Sequence, residues 1–254
     1  RQGKYINPYK YVIVDQYQDI SKARFTLLDC LRKSRDYELF CVGDDWQSIY
    51  RFAGSDIGFI LNFAKYWDAT EVSKLETTYR FSQKLIEISG GFIMQNPVQI
   101  KKSIRGKSED FGFPLGEISG YTDKNAIEFM SKKLNDISKG SSVFFIGRYS
   151  FDAKLLNDSG LFSCQYNNTS GFIDVKVKSR PDLNMVFLTA HKSKGLQADY
   201  VFIINNKNSR MGFPSKIQDA PILDLLLDNC DQYPHAEERR LFYVALTRAK
   251  KKAF

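Results

Sequence analysis

Short runs of β-branched and aromatic residues alternate along this chain with stretches at helical spacing. That rhythm admits few folds, all of them crossover units around a mainly parallel sheet. Tyr11-Val12-Ile13-Val14 is the first strand, buried by its composition, and it ends on Asp15. Ser21 is placed to cap a following helix marked by Phe25, Leu28 and Leu31. A second strand, Leu39-Phe40-Cys41-Val42, breaks at Gly43-Asp44-Asp45, and Ile57 to Tyr66 has helical spacing. Two strands thus deliver acids at their C-terminal ends, the edge at which open α/β sheets bind ligands.

The rhythm resumes after Thr77-Thr78-Tyr79-Arg80. A helix is expected from about Gln83 to Met94, then a basic, glycine-containing loop from Lys101 to Ser108 and a helix from Asn125 to about Ile137 capped by Asp123. The strand Ser142 to Ile146 and a helix around Phe151 to Leu156 follow. Residues 157–183 have no clear period and read as loops and short strands. The domain boundary is placed near Lys74 to Thr77, dividing the chain into 1–75 and 76–254.

Composition narrows the function classes. With 254 residues and 43% hydrophobic content the chain can bury real cores. No apolar run approaches the roughly 18 residues that span a bilayer, and Arg1 to Lys10 lacks the apolar core of a secretory signal. A cytoplasmic protein without a membrane partner is therefore expected. Cys30, Cys41, Cys164 and Cys230 form no C-x-x-C pair and only two histidines exist, so neither a disulfide frame nor a zinc site is indicated. A net charge of +8 is compatible with a polyanionic partner. The chain opens on Arg1 and stops at Phe254 inside an apparent strand, which reads as a piece of a longer polypeptide with its N-terminal part missing.

Five segments carry chemistry. In IVDQYQD, Asp15 stands where a nucleotide hydrolase holds Mg²⁺, although a lone aspartate after a strand more often caps a turn. CVGDDWQSIYRFAG combines two acids, Gln47 and the aromatic pair Tyr50 and Phe52, rings suited to stacking on bases or to filling a core. LETTYRF holds Tyr79 and Arg80, and FLTAHKSKGLQADYVFI places Thr, His, Lys and Gly in a polar loop between two strands, a setting for phosphate contacts. AEERRLFYVALTRAK reads as one helix from Ala236 to Lys250, with Arg248 on the apolar stripe of Leu241, Val244 and Ala245. A buried arginine there needs an anionic partner, either an internal carboxylate or a phosphate.

Taken in order, these five segments resemble motifs II to VI of UvrD-like superfamily 1 helicases, over nearly the whole chain. The resemblance implies RecA-like P-loop NTPase folds with mainly parallel sheets, one motor domain partial and the second nearly complete, without a large accessory insertion. It implies ATP and Mg²⁺ as cofactors, and single-stranded or partial duplex DNA as partner, with 3′ to 5′ translocation. Asp15 would hold Mg²⁺, Gln47 would sense the γ-phosphate, and Arg80 and Arg248 would be γ-phosphate arginines extending from the second domain into the nucleotide gap. Tyr79 would stack on adenine, with Gly195 and Gln197 also at the nucleotide. Tyr50 and Phe52 would contact bases, while Thr189 and His191 would hold the strand.

Four departures stand out. Gln16 occupies the position of the family's water-polarising glutamate, and an amide offers no base. Gln197 replaces a ribose-binding glutamate, and Ala53 replaces a DNA-contacting arginine. No G-x-x-x-x-G-K-[ST] loop precedes Tyr11, and Gly106-Lys107-Ser108 is not one, since Lys101 stands at the required first glycine. An inactive fragment of a helicase is expected. The rival readings are a helicase-fold DNA-binding or scaffolding protein and the helicase subunit of a helicase–nuclease complex.

Overall fold

The computed structural model describes residues 8–109, 111–218, 220–227 and 230–254. The first seven residues of the domain expected over 1–75 lie outside that set. In chain order the elements are β1 (Tyr11–Val14), α1 (Lys22–Ser34), β2 (Glu38–Cys41), α2 (Gly58–Leu61), α3 (Phe63–Trp67), β3 (Thr77–Thr78), α4 (Gln83–Ile93), β4 (Arg105–Gly106) and α5 (Asp123–Lys133). Then come β5 (Ser142–Gly147), α6 (Ala153–Asp158), β6 (Phe162–Asn167), β7 (Phe172–Val177), β8 (Asn184–Thr189), β9 (Ala198–Ile203), α7 (Pro221–Leu226), α8 (Ala236–Leu246) and β10 (Ala249–Ala253). The architecture is mixed α/β with mainly parallel sheets. Two compact units form, one from the described residues of Arg1–Lys74, Met94–Lys101 and Gln218–Arg240, the other from Leu75–Ile93, Lys102–Ile217 and Leu241–Phe254.

In the first unit β1 and β2 pair in parallel, with Val14 opposite Cys41. Helix α1 starts where Ser21 accepts a hydrogen bond from the Arg24 N–H. Tyr17, Ile20 and Phe59 form a small core, with Phe25, Leu28, Cys41 and Phe63 packed around it. Indole N–H of Trp67 donates to the Tyr17 hydroxyl at 2.7 Å. The strands are not buried on both sides as expected, because Tyr11, Ile13 and Phe40 are exposed, Ile13 at 73%. Among the described residues the helices cover one face only. The single helix expected over Ile57 to Tyr66 is broken at Asn62, whose backbone (φ −111°, ψ 35°) leaves the helical region while its side-chain amide bonds the Gly58 carbonyl.

The second unit holds a six-stranded sheet in the order β10-β9-β5-β8-β7-β6. Its first four strands run parallel, and β7 and β6 extend it as an antiparallel hairpin. That hairpin occupies the stretch expected to be loops and short strands. Parallel strands must be covered on both faces. Accordingly Val143, Phe145, Met185, Phe187 and Phe202 pack with Ile127 and Met130 of α5 and Leu156 of α6, while Ile146, Leu188 and Val201 are also buried. Helix α5 is capped by Thr122 rather than Asp123, since the Thr122 hydroxyl accepts from the Asn125 N–H. Asp123 instead pairs with Lys207. No helix among the described residues is long and apolar enough to cross a membrane.

Burial also sets thiol chemistry. Burial pushes the Cys41 thiol, on β2 against the small core, up to about 12, whereas Cys30 on α1 is exposed. The thiolate is the nucleophile, so burial leaves Cys41 largely unreactive at pH 8. Alkylation at pH 8 followed by peptide mass mapping is expected to label Cys30 and spare Cys41 until denaturant is added. Equal labelling rates would contradict the packing of β2.

Candidate functional site: two strand edges

In the first unit the tip of β1 and the turn after β2 are locked together by a residue the sequence pattern did not single out. Gln18 is buried at 1% exposure. Its amide nitrogen donates to Gln16 Oε1 at 2.7 Å, its Oε1 accepts from the Asp44 N–H at 2.9 Å, and its carbonyl takes the hydroxyls of Ser48 and Ser55, both at 3.1 Å. The turn has no room for a side chain at Gly43, where an added Cβ would lie 2.8 Å from Gln18 Oε1 and 3.1 Å from the Gln18 nitrogen. Asp44 then accepts from the Trp46 N–H and from the Gln47 side-chain amide at 2.6 Å, which fixes the direction of Gln47.

Asp15 and Gln16 share a cleft of about 510 Å³ with Asp19, Arg24, Tyr50 and Ala53. One Asp15 oxygen accepts from the Gln16 N–H at 2.8 Å. Gln16 itself sits in the left-handed region (φ 54°, ψ 44°), a conformation that strains a non-glycine residue by roughly 1–3 kcal/mol and clusters at functional sites. Burial, and secondarily Asp19, raises the Tyr50 hydroxyl above its ordinary value. Tyr50 and Phe52 meet edge to face at 6.0 Å, with Phe52 exposed. An exposed carboxylate on a strand tip fits Mg²⁺, which takes one or two carboxylates plus substrate phosphates rather than a closed protein cage. Among the described residues no cluster of three or more metal ligands occurs.

Behind this edge the same unit hides a charged network. Arg240 and Asp231, 4% and 5% exposed, form an ion pair, and Asp231 also accepts from the Asn96 amide at 2.9 Å. The Arg240 Nε donates to the Ser48 carbonyl at 2.7 Å, beside Gln47. Removing one member of such a pair strands a buried charge. Asp231→Ala is expected to lower stability by about 3–5 kcal/mol in urea denaturation. A loss below 1 kcal/mol would show the pair to be solvated.

In the second unit five candidates lie on or beside the loop that leaves the C-terminal end of β8 and returns to the start of β9. Thr189 ends β8 opposite Gly147 of β5. Its hydroxyl accepts from the Lys192 N–H at 3.3 Å and its carbonyl from the Ser193 N–H at 3.0 Å, closing a turn that holds His191 half-buried. Gly195 takes φ +83°, a conformation suited to glycine, and Gln197 is exposed just ahead of β9. Arg248, just ahead of β10, is 1% exposed: near the end of α8 its Nε donates to the Val244 carbonyl at 2.8 Å and Nη2 to the Thr247 hydroxyl at 3.1 Å, while Nη1 donates to the Leu196 carbonyl at 3.3 Å, next to Gly195 and Gln197. It does not lie on a helix as expected. Helix α8 stops at Leu246, Thr247 bonds back to the Tyr243 carbonyl, and the chain turns into β10.

Tyr79 and Arg80 stand apart from that group, at the end of β3 in the small β3–β4 sheet. Tyr79 is 71% exposed, with the Lys107 ammonium 5.7 Å from its ring centre. Gly106-Lys107 belongs to this sheet and not to a phosphate loop. Gly106 pairs with Thr78, and an added Cβ would lie 2.8 Å from the Gln83 nitrogen.

Comparison with known proteins accords with this arrangement. Residues 2–68 match the model of the UvrD/REP helicase N-terminal domain, and residues 174–254 match that of the UvrD-like helicase C-terminal domain. DNA helicase IV of Escherichia coli (strain K12) is 34% identical over 253 residues, covering 98% of this chain and 34% of that protein. ATP-dependent DNA helicase PcrA of Bacillus subtilis (strain 168) is 29% identical over 133 residues, 52% of this chain and 18% of that protein. The chain thus spans about a third of the length of DNA helicase IV. With both family models matched in order and nearly all of its residues aligned to part of DNA helicase IV, the chain belongs to the UvrD-like helicase family.

Proposed function

We propose that the chain is part of an ATP-driven DNA helicase that moves 3′ to 5′ along single-stranded DNA, and that it supplies the phosphate-sensing arginines and the strand-holding loop. The observation that carries this reading is the Gln18 bridge, which ties Asp15 and Gln16 to the turn that aims Gln47. It supports roles for Asp15 as Mg²⁺ ligand and Gln47 as γ-phosphate sensor. Arg80 and Arg248 serve as γ-phosphate arginines, Tyr79 stacks on adenine, and Gly195 and Gln197 lie at the nucleotide. Bound Mg²⁺ would neutralise charge developing on the transferred phosphate. Tyr50, Phe52, Thr189 and His191 contact the strand. The 254 residues contain no G-x-x-x-x-G-K-[ST] segment, so ATP must be gripped by residues outside them.

Gln16 favours a second reading, a helicase-fold protein that binds DNA and nucleotide with little turnover. A carboxamide there keeps the bond to Gln18 but accepts no proton. The strand-binding claim is common to both readings. A fluorescein-labelled oligo(dT) titrated with this chain is expected to bind, with affinity falling steeply as salt rises. Thr189→Ala combined with His191→Ala is expected to weaken that binding at least tenfold. Binding unchanged in the double variant would remove the loop after β8 from the DNA path.

A further inference from the structure

The six-stranded sheet of the second unit has two edges, and the chain treats them differently. At one edge β10 carries Lys250, Lys251 and Lys252 in succession, and its pairing with β9 is interrupted by a register shift. Its outer side is also partly occupied. The Ala253 N–H donates to the Pro114 carbonyl at 2.9 Å, and the Ala253 carbonyl accepts from the Gly116 N–H at 2.8 Å. Lysines, irregular pairing and a covering segment are the means by which sheets keep an edge from pairing with another chain.

The opposite edge, β6, has none of them. Its sequence is FSCQYN, six residues without charge or proline, paired with β7 in unbroken register from Phe162 opposite Val177 to Asn167 opposite Phe172. Among the described residues no strand or loop pairs with its outer side. The end of the strand is held by its turn, where Asn167 Oδ1 accepts from the N–H groups of Thr169 at 3.0 Å and Ser170 at 3.2 Å, and the Asn167 amide donates to Asp174 at 3.0 Å. Ser163, Gln165 and Tyr166 are exposed, Tyr166 at 59%. An ordered, neutral and unguarded strand is a template whose pairing costs little further ordering.

We propose that β6 is a self-association edge, on which β6 of a second copy of this chain pairs antiparallel about a two-fold axis centred on Cys164. Such an axis, normal to the sheet, keeps each face continuous across the join, so residues directly opposite share a face and the axis passes through a residue. Centring on Cys164 sets Tyr166 of each copy against Phe162 of the other, and Ser163 against Gln165. Two aromatic cross-strand pairs form and no like charges meet. Neutrality is what admits a second copy of a chain with net charge +8, whereas β10 against β10 would set lysines among lysines. One six-residue strand offers less than the roughly 1,200 Å² of a standard interface, so the dimer is a weak one.

Sedimentation equilibrium of the chain in reducing buffer, from micromolar to near-millimolar concentration and without DNA or nucleotide, tests this independently of the helicase reading. The parent is expected to rise from the monomer mass towards twice that mass. Ser163→Lys combined with Gln165→Lys sets lysine against lysine at two pairs and is expected to weaken association about tenfold or more. Ser163→Glu combined with Gln165→Glu is expected to do the same, while an equal mixture of the lysine and glutamate variants recovers a dimer at least as tight as the parent's. A parent that stays monomeric throughout would overturn the proposal and leave the edge to an extended segment of another protein. A lysine variant that associates as well as the parent would place the contact elsewhere, and a mixture that fails to recover would refute the antiparallel register. Thermal melts identify a variant lost to unfolding. In that case Tyr166→Ala, which removes the aromatic pairs from an exposed position, decides, and unchanged association in it would overturn the proposal.

Discussion

Arg248→Ala is expected to lower DNA-stimulated ATP hydrolysis about 10³- to 10⁵-fold in a polypeptide that joins this chain to a G-x-x-x-x-G-K-[ST] loop. The magnitude is that of an arginine placed against the charge of a transferring phosphoryl group. The geometry adds a distinctive signature. Arg248 is buried and donates to the carbonyls of Val244 and Leu196, so it is already aimed along the turn that carries Gly195 and Gln197. Alanine removes the charge and leaves buried carbonyls short of a donor, a cost of about 1–3 kcal/mol in stability. Arg248→Lys separates these effects, because it keeps the charge but cannot span three acceptors from one planar group. The loss is expected mainly in kcat, with little change in nucleotide KM, and lysine is expected to restore little of it. Wild-type turnover in a folded Arg248→Ala protein would end its assignment to the phosphate.

Gln16→Glu is expected to act in the opposite direction, raising turnover about 10²- to 10⁴-fold in the same polypeptide, the range of a positioned general base. The substitution is close to isosteric here. Gln16 is exposed at the strand tip, and its Oε1 accepts a hydrogen bond from the Gln18 amide, which a carboxylate oxygen takes equally well. The left-handed backbone at this position is unaffected by the exchange. Any gain is therefore chemical, and nucleotide affinity should shift far less than kcat. Turnover that does not rise would remove position 16 from proton transfer and favour the binding-protein reading. The expected gain also makes Gln16→Glu the background in which the Arg248 loss is best measured.

Local chemistry made parts of the fold legible and tertiary chemistry concealed the rest. The strand before Asp15 and the helix after Ser21 were readable because an apolar run and a capping hydroxyl are local signals. The parallel strands β5, β8 and β9 were readable for the same reason. The hairpin β6–β7 was not, since FSCQYN mixes polar and apolar residues and its strand character depends on pairing with β8 through β7. The break at Asn62 and the end of α8 before Thr247 depend on single side chains bonding back to the helix, which periodicity does not register. At the site, residue types were legible and their wiring was not. Nothing local marks Gln18, whose contacts with Asp44, Ser48 and Ser55 arise only when both loops are folded together. Arg240 and Asp231 meet through tertiary folding. The roles given to Tyr79, Arg80 and Thr189 came from resemblance, since no spacing rule singles out those positions.

The central claim, that this chain carries phosphate-sensing arginines but not the means to grip ATP, is tested most directly by phosphate release from ATP and Mg²⁺. The purified 254-residue chain is assayed at saturating oligo(dT). No release above background is expected, with or without DNA, and none is expected on introducing Gln16→Glu. DNA-stimulated turnover by the chain alone would contradict the claim, because it would require a phosphate-binding loop within these residues.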